Sequence, residues 1–360
     1  MKGIRSIFAL ILLLSLSHSS KAQDTVLLFH PTAYNLEVFQ KLMDEGLFPL
    51  DGYHILGVYH PGESYDYSKA LAYMDQEQYS QFSLREIKGE LGPENIYGEH
   101  EASAQFKKLF ENSRGAFFMG GPDIPPCTYG EEVHLLTRVT DPFRHYLELS
   151  YLFHLLGGSQ DPDWLPFMEE EPRYLLSGIC LGMQTMNVAT GGSMVQDIPS
   201  ELYGIWQAED ILDLPRDQMH RNYLDYLNTG CEDPTSYHFH KITLMPGMML
   251  TSGIGFKKDV APLVLSSHHQ AIEKLGTGWE IAATSMDEKI IEAIQHTRYP
   301  NVLGVQFHPE KPGLFDPEIE HPQGCNSTIN FQKAIKNSDS YLFHLTFWKQ
   351  LAQVLQKNRE

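Results

Sequence analysis

The stretch RYLLSGICLGMQ, residues 173–184, decides how this chain is read. Residues 173–177 form a short apolar run bounded by turn-forming residues, the pattern of a buried strand. Residues 183–190 carry a helix signal, and Gly191-Gly192 ends it, as glycines just past a helix commonly do. Between the two, Cys180 has Gly178 and Gly182 two positions away on either side. A strand that bends sharply into a helix needs glycines at the bend, and the bend holds its central side chain clear of the sheet. Amides opening the helix at Leu181 would face the sulfur, favouring thiolate over thiol and offering donors to a developing oxyanion. The same residues also fit a small buried cysteine at a strand end, so the rest of the chain must bear on the choice.

Working outward, short apolar runs alternate with helical periodicity, the mark of an α/β architecture. Strands are predicted at 25–29 (TVLLF), 53–59 (YHILGVY), 115–119 (GAFFM), 280–284, 290–295 and 302–307. Helices are predicted at 35–45, 101–112, 143–156 and 340–355. Residues 60–100 read as loops with one short helix, 157–171 as a polar insertion, and 200–256 as irregular. The patterning by itself gives an α/β fold. One domain spans 23–360, with insertions near 157–171 and 203–240.

The chain has 27 Lys+Arg against 46 Asp+Glu, a formal net charge of −19, and no basic run. Nucleic-acid binders need clustered cations to displace counterions, so nucleic acid is excluded as a partner. Residues 1–22 read as a cleaved signal peptide. Lys2 and Arg5 precede ten apolar-rich residues, 7–16, and Ser20-Lys21-Ala22 closes the segment with small residues where a signal peptidase reads. Ten residues cannot span a hydrocarbon core that needs about 20, so no membrane span is expected and the protein is expected to be secreted or periplasmic. In that compartment the four cysteines, Cys127, Cys180, Cys231 and Cys325, invite a disulfide reading. If one is a working thiol, at most one bridge forms among the other three. Asn326-Ser327-Thr328 matches a glycosylation acceptor.

A nucleophilic thiol needs a base and a group that orients the base. The strand at 302–307 ends in His308-Pro309-Glu310, and in extended chain residues i and i+2 lie on one side. His308 is therefore the candidate base and Glu310 its partner. Seventeen histidines also raise a metal, with His238-Phe239-His240 and His268-His269 as the tempting pairs. Neither a Cys-x-x-Cys nor a His-Glu-x-x-His spacing occurs, so no metal site is expected.

Gly178-Ile179-Cys180-Leu181-Gly182-Met183-Gln184 and Val305-Gln306-Phe307-His308-Pro309-Glu310 resemble the two signatures of the class I glutamine amidotransferase-like superfamily. Residues 187–201 (NVATGGSMVQDIPSE), residues 266–272 (SSHHQAI) and Glu292-Ala293-Ile294 narrow the resemblance to the γ-glutamyl-γ-aminobutyrate hydrolase family of cysteine peptidases. The resemblance implies a doubly wound α/β fold, a mostly parallel sheet flanked by helices with flavodoxin-like layering, and a thiol amidase without metal or cofactor, with Cys180 as nucleophile, His308 as base and Glu310 as its partner. It implies oxyanion donors at the Gly120-Gly121 turn and Leu181, and a substrate near Gln184, Ser267, His268, His269 and Gln270. The small-molecule substrate expected is a γ-glutamyl amide or peptide, and homodimerisation stays open. A catalytically silent ligand-binding module and a general cysteine peptidase are the alternatives. A Cys-containing α/β-hydrolase fits less well, because its acid would precede the histidine in chain order.

Overall fold

The computed structural model describes residues 24–227, 234–252, 260–336 and 338–359. The expected leader 1–22 and Cys231 lie outside the described residues. The strands are β1 (Thr25–Phe29), β2 (His54–Tyr59), β3 (Phe82–Glu86), β4 (Gly115–Phe118), β5 (Leu175–Ile179), β6 (Ser193–Val195), β7 (His238–Leu244), β8 (Leu263–Ser266), β9 (Ala271–Lys274), β10 (Trp279–Ser285), β11 (Ile291–His296) and β12 (Val302–Val305). Ten of them make one sheet in the order β3-β2-β1-β4-β5-β12-β11-β10-β7-β8. From β3 to β12 every pairing is parallel, and from β12 to β8 every pairing is antiparallel.

Alternation along the strands sorts side chains to two faces. In β1, Val26 and Leu28 join one apolar cluster, and Leu27 and Phe29 join the other. The first cluster is covered by α1 (Ala33–Asp44), α2 (Ser68–Glu77) and the long helix Asp339–Lys357, through Leu36, Phe39, Met74, Phe347 and Trp348. The second is covered by α3 (Ser103–Glu111), α4 (Pro142–Leu156) and α5 (Leu181–Ala189), through Phe106, Leu152 and Met186. Helices on both faces of a mostly parallel sheet are the doubly wound α/β class. Because the strand order runs outward in both directions from β1 and β4, their carboxyl ends open a crevice, the usual ligand position in such sheets.

Local chemistry places the helices that matter. Thr32 caps α1 by accepting the Asn35 N–H at 3.1 Å, and Asp141 caps α4, whose first residue is Pro142. Trp348 is fully buried, and its Nε1 donates to the Pro309 carbonyl at 2.9 Å, tying the C-terminal helix to the loop after β12.

Several sequence expectations are corrected. Residues 60–100 hold α2 but also the edge strand β3, which the mixed polarity of FSLRE concealed. The region 200–256 contains β7, so the insertion expected to end at residue 240 overlaps a strand of the main sheet. The strand expected at 173–177 lies two residues later, as β5, while the helix opens at Leu181 as the reading of its first amides requires. No helix among the described residues is long and apolar enough to cross a membrane. Cys127 and Cys180 are free and Cys325 is disulfide-bonded.

Candidate active site

β5 runs directly into α5 through Cys180, whose backbone sits at φ 53°, ψ −108°. A side-chain-bearing residue in that region is strained by roughly 1–3 kcal/mol and persists only where its surroundings enforce it. The enforcement is visible in the flanking glycines. A Cβ on Gly182 would lie 2.2 Å from the Phe118 carbonyl oxygen, and one on Gly178 would lie 2.5 Å from the Gly182 carbonyl carbon. Strand, turn and helix are therefore packed backbone to backbone, and the Cys180 N–H donates to the Val305 carbonyl at 2.8 Å.

β12 brings the second group. His308 and Glu310 follow it, and the His308 N–H donates to the Leu265 carbonyl at 2.7 Å. His308 Nδ1 lies 2.8 Å from Glu310 Oε1, with both side chains buried. A carboxylate only accepts, so the proton sits on Nδ1 in the neutral ring and the other nitrogen is left for the thiol. Burial pushes the His308 pKa down, but Glu310, Tyr237 and the hydrogen-bonded Cys180 outweigh it and hold the net value well above the ordinary one. Burial opposes ionisation of Glu310 as well, yet His308 and Lys311 prevail and lower it to about 2.

The turn after β4 closes the site from the other side. Arg144 of α4 donates from Nη2 to the Met119 carbonyl at 2.7 Å and the Gly120 carbonyl at 3.2 Å. Its Nε donates to Glu148 Oε1 at 2.8 Å, with both partners buried. A Cβ on Gly121 would lie 2.0 Å from Arg144 Nη1, so the guanidinium and the glycine occupy one volume between them. Glycine here permits the close approach of a cation beneath the turn.

These elements enclose a cleft of about 280 Å³ lined by residues that include Cys180, His308, Gly120, Gly121, Ser267 and Lys311. It stands at the carboxyl ends of β1, β4, β5 and β12, four neighbours in the sheet. A larger hollow of about 490 Å³ along β1–β3 has no cysteine in its lining.

Of the residues expected near a substrate, Ser267 lines this cleft, whereas Gln184, His268, His269 and Gln270 do not. Gln184 is buried behind it, donating to Gln306 Oε1 at 3.2 Å, while Gln306 Nε2 donates to Cys180 Sγ at 3.6 Å. Gln270 Nε2 donates to the Gln196 carbonyl at 3.0 Å. His268 turns toward His220, His240 and Glu292. Glu310 lines the cleft as well, with Tyr34, Asn35, Met119, Tyr237 and Lys311, which the sequence reading does not single out. The signal for Lys311 was its place directly after Glu310; Tyr34 and Asn35 become legible only once β1 is known to neighbour β4.

His269 bridges Asp123, at 3.1 Å from Nε2, and Asp197, at 3.2 Å from Nδ1. Burial lowers its pKa, but the two carboxylates outweigh that and raise it to about 9. A raised pKa means the charged bridge contributes fully below about pH 6.5 and is lost as pH rises through about 9. The expected result is a urea-unfolding free energy that falls by about 2–3 kcal/mol more between pH 6.5 and 9.5 in wild type than in His269→Gln. Parallel pH profiles for the two proteins would remove the bridge from the account.

Residues 81–310 match the family model described as Peptidase C26. The protein Rv2859c of Mycobacterium tuberculosis, whose name places it among the glutamine amidotransferases, is 32% identical over 192 residues, covering 53% of this chain and 49% of its own. The glutamine amidotransferase-like protein YvdE of Lactococcus lactis is 29% identical over 191 residues, covering 53% of this chain and 63% of its own. The chain thus spans about half to two thirds of the length of these relatives. A glutamine amidotransferase structure from Thermotoga maritima aligns over 93% of this chain and 99% of its own, at 12% identity and a TM-score of 0.41. A family match over well over half the chain, spanning both Cys180 and His308, makes the protein a member of the Peptidase C26 family.

Proposed function

We propose that the protein is a thiol hydrolase of γ-glutamyl amide bonds, with Cys180 as nucleophile, His308 as its acid–base partner and Glu310 as the group that orients His308. The observation that carries this reading is the convergence of the three at one cleft, with His308 Nδ1 held by Glu310 at 2.8 Å. In the first step Cys180 Sγ attacks the γ-carbonyl carbon, and the oxyanion is received by amides of the Gly120-Gly121 turn and of Leu181, first residue of α5. The C–N bond breaks as His308 gives its proton to the leaving amine. In the second step His308 takes a proton from water, the hydroxide attacks the thioester, and glutamate leaves with the thiol restored.

The γ-glutamyl group carries an α-carboxylate, and Lys311 supports its recognition. It is a half-buried cation in the lining of the cleft, 3.1 Å from the Tyr34 hydroxyl and 3.6 Å from Glu310. An exported location belongs to the same reading and rests on the sequence of residues 1–22.

Glutamate release from a panel of γ-glutamyl amides and peptides tests the proposal. Release that ranks the leaving amines supports it, and silence across the panel removes γ-glutamyl substrates from it. Glu310→Gln is expected to slow turnover on the order of 10²–10⁴-fold, because the imidazole loses its orientation and its charge partner. The sign of the pH effect follows from the same contact. His308 must carry the proton given to the amine, and Glu310 helps raise its pKa, so the alkaline limb of kcat should move to lower pH in the variant. An unmoved limb would make Glu310 a packing residue.

A further inference from the structure

We propose that His220, His240, His268 and Glu292 form a buried binding site for a divalent first-row transition-metal ion, zinc fitting the donor set best, that pins one wall of the catalytic cleft to the sheet. The four come from separate parts of the chain. His240 is on β7, Glu292 on β11, His268 in the loop between β8 and β9, and His220 in the segment that precedes β7. Their donor atoms all lie within 4.8 Å of one another. Glu292 Oε1 is 3.1 Å from His220 Nδ1, 3.6 Å from His240 Nε2 and 3.9 Å from His268 Nε2. Tetrahedral zinc with bonds of about 2.0–2.1 Å spaces its donors about 3.3 Å apart, so small movements would complete the shell.

The hydrogen bonding around the cluster is what points to a cation. Both nitrogens of His220, Nε2 of His268 and both carboxylate oxygens of Glu292 are buried with no hydrogen-bond partner. Leaving a buried carboxylate and an imidazole nitrogen unsatisfied costs several kcal/mol. Tautomers sharpen the point. His268 Nδ1 is 2.8 Å from the Gln270 carbonyl, and His240 Nδ1 is 3.2 Å from the Lys241 carbonyl. Carbonyls only accept, so the protons sit on Nδ1 and each Nε2 turns a lone pair toward Glu292. Carbonyl-anchored imidazoles of this kind are the usual outer support of metal ligands. Among the described residues, the ion pairs of Glu292 are with these three imidazoles and not with any Lys or Arg.

Two neighbours compete or assist. The Ser266 hydroxyl lies 2.8 Å from His240 Nε2 and would be displaced from it by an ion. Asp287, held by Tyr203 and Ser285, is the further carboxylate facing the cluster and adds negative charge. Four protein donors leave no open position, which makes the site structural rather than catalytic. Its reach to the cleft is short. The His268 N–H donates to the His220 carbonyl at 3.1 Å, Ser267 beside it lines the cleft, and Ser267 Oγ meets Ser236 Oγ at 2.7 Å next to Tyr237.

The test uses the full chain carrying Cys180→Ala, so that the cleft thiol cannot capture metal. The protein is stripped with a chelator, reloaded separately with Zn2+ and Co2+, desalted, and assayed for retained metal. The expected result is about one equivalent per chain, visible bands of four-coordinate Co2+, and a higher unfolding temperature with metal. Adding His240→Gln or Glu292→Gln should reduce retained metal at least about tenfold. If those variants do not fold, X-ray absorption of the zinc-loaded parent decides, with three imidazoles and one carboxylate expected. Failure of the parent to retain metal, sulfur in its coordination shell, or undiminished retention in folded variants would each overturn the proposal. None of these readouts depends on γ-glutamyl hydrolysis.

Discussion

Cys180→Ala is expected to lower glutamate release from a γ-glutamyl amide by about 10⁴-fold or more, with the fold retained. The reaction as proposed has no nucleophile without the sulfur, and the remaining oxyanion donors and binding contacts leave only a small residual rate. The fold survives because alanine keeps the backbone N–H that bonds Val305, and it meets no worse strain at φ 53° than cysteine does. Truncating Sγ removes its hydrogen bond with His308 and the long contact from Gln306 Nε2 at 3.6 Å, and the change in unfolding free energy should stay within about 1 kcal/mol. Release undiminished in a folded variant would remove the mechanism. Loss of the thiol should also abolish iodoacetamide labelling at this position. Cys127 is free and exposed, so labelling must be mapped by peptide mass rather than by counting thiols.

Arg144→Met should be the most damaging single change to stability, at about 3–5 kcal/mol, because it strands a buried carboxylate. Burial already drives the Glu148 pKa up to about 7 against the pull of Arg144, and Glu148 Oε2 has no hydrogen-bond partner. Removing the guanidinium leaves that group to be buried with nothing opposing the cost. The same change withdraws both donors from the Met119 and Gly120 carbonyls, so the turn facing Cys180 loses its support. Turnover should fall by about 10–100-fold in whatever fraction stays folded, since a loosened oxyanion turn costs part of what a deleted donor costs. Pairing Arg144→Met with Glu148→Leu separates the two effects. Stability should largely return, because an apolar pair can replace a buried ion pair, while turnover should remain low. Urea midpoints and kcat for the single and double variants check this. A single variant within about 1 kcal/mol of wild type would show the pair to be dispensable.

How much of this was legible beforehand follows the range of the forces involved. The bend at Gly178-Ile179-Cys180-Leu181-Gly182 could be read from sequence because glycines on both sides of a central residue mark a sharp turn, although the backbone that a Cβ on Gly182 would meet belongs to Phe118 of β4, far along the chain. His308 and Glu310 could be paired because extended chain puts alternate residues on one side, and their 2.8 Å contact needs nothing distant. The α/β class followed from apolar runs such as TVLLF and GAFFM, which are buried on both faces and show no polar alternation, and the doubly wound arrangement from the family resemblance of the two signatures. By contrast β3 and β7, FSLRE and HFHKITL, mix polar with apolar residues on both faces and look like loop until their neighbours in the sheet are known. Gln184, His268, His269 and Gln270 lie in the stretches that carry the resemblance, yet none of them lines the cleft, and their side chains bond elsewhere, His269 to Asp123 and Asp197 for one. Spacing along the chain does not say which way a loop residue turns.

The sequence alone determined the strand–turn–helix that carries Cys180, the His308–Glu310 pair and the α/β layering, since each depends on contacts within a few residues or on the period of burial. Only the tertiary structure decided what surrounds them. Arg144 reaches the turn after β4 from α4, which begins at Pro142, well beyond Gly121 in the chain. The three imidazoles converge on Glu292 because β7, β8, β10 and β11 run antiparallel in an order that differs from their order in the chain. Buried charges are placed by that order, through partners the local pattern never names.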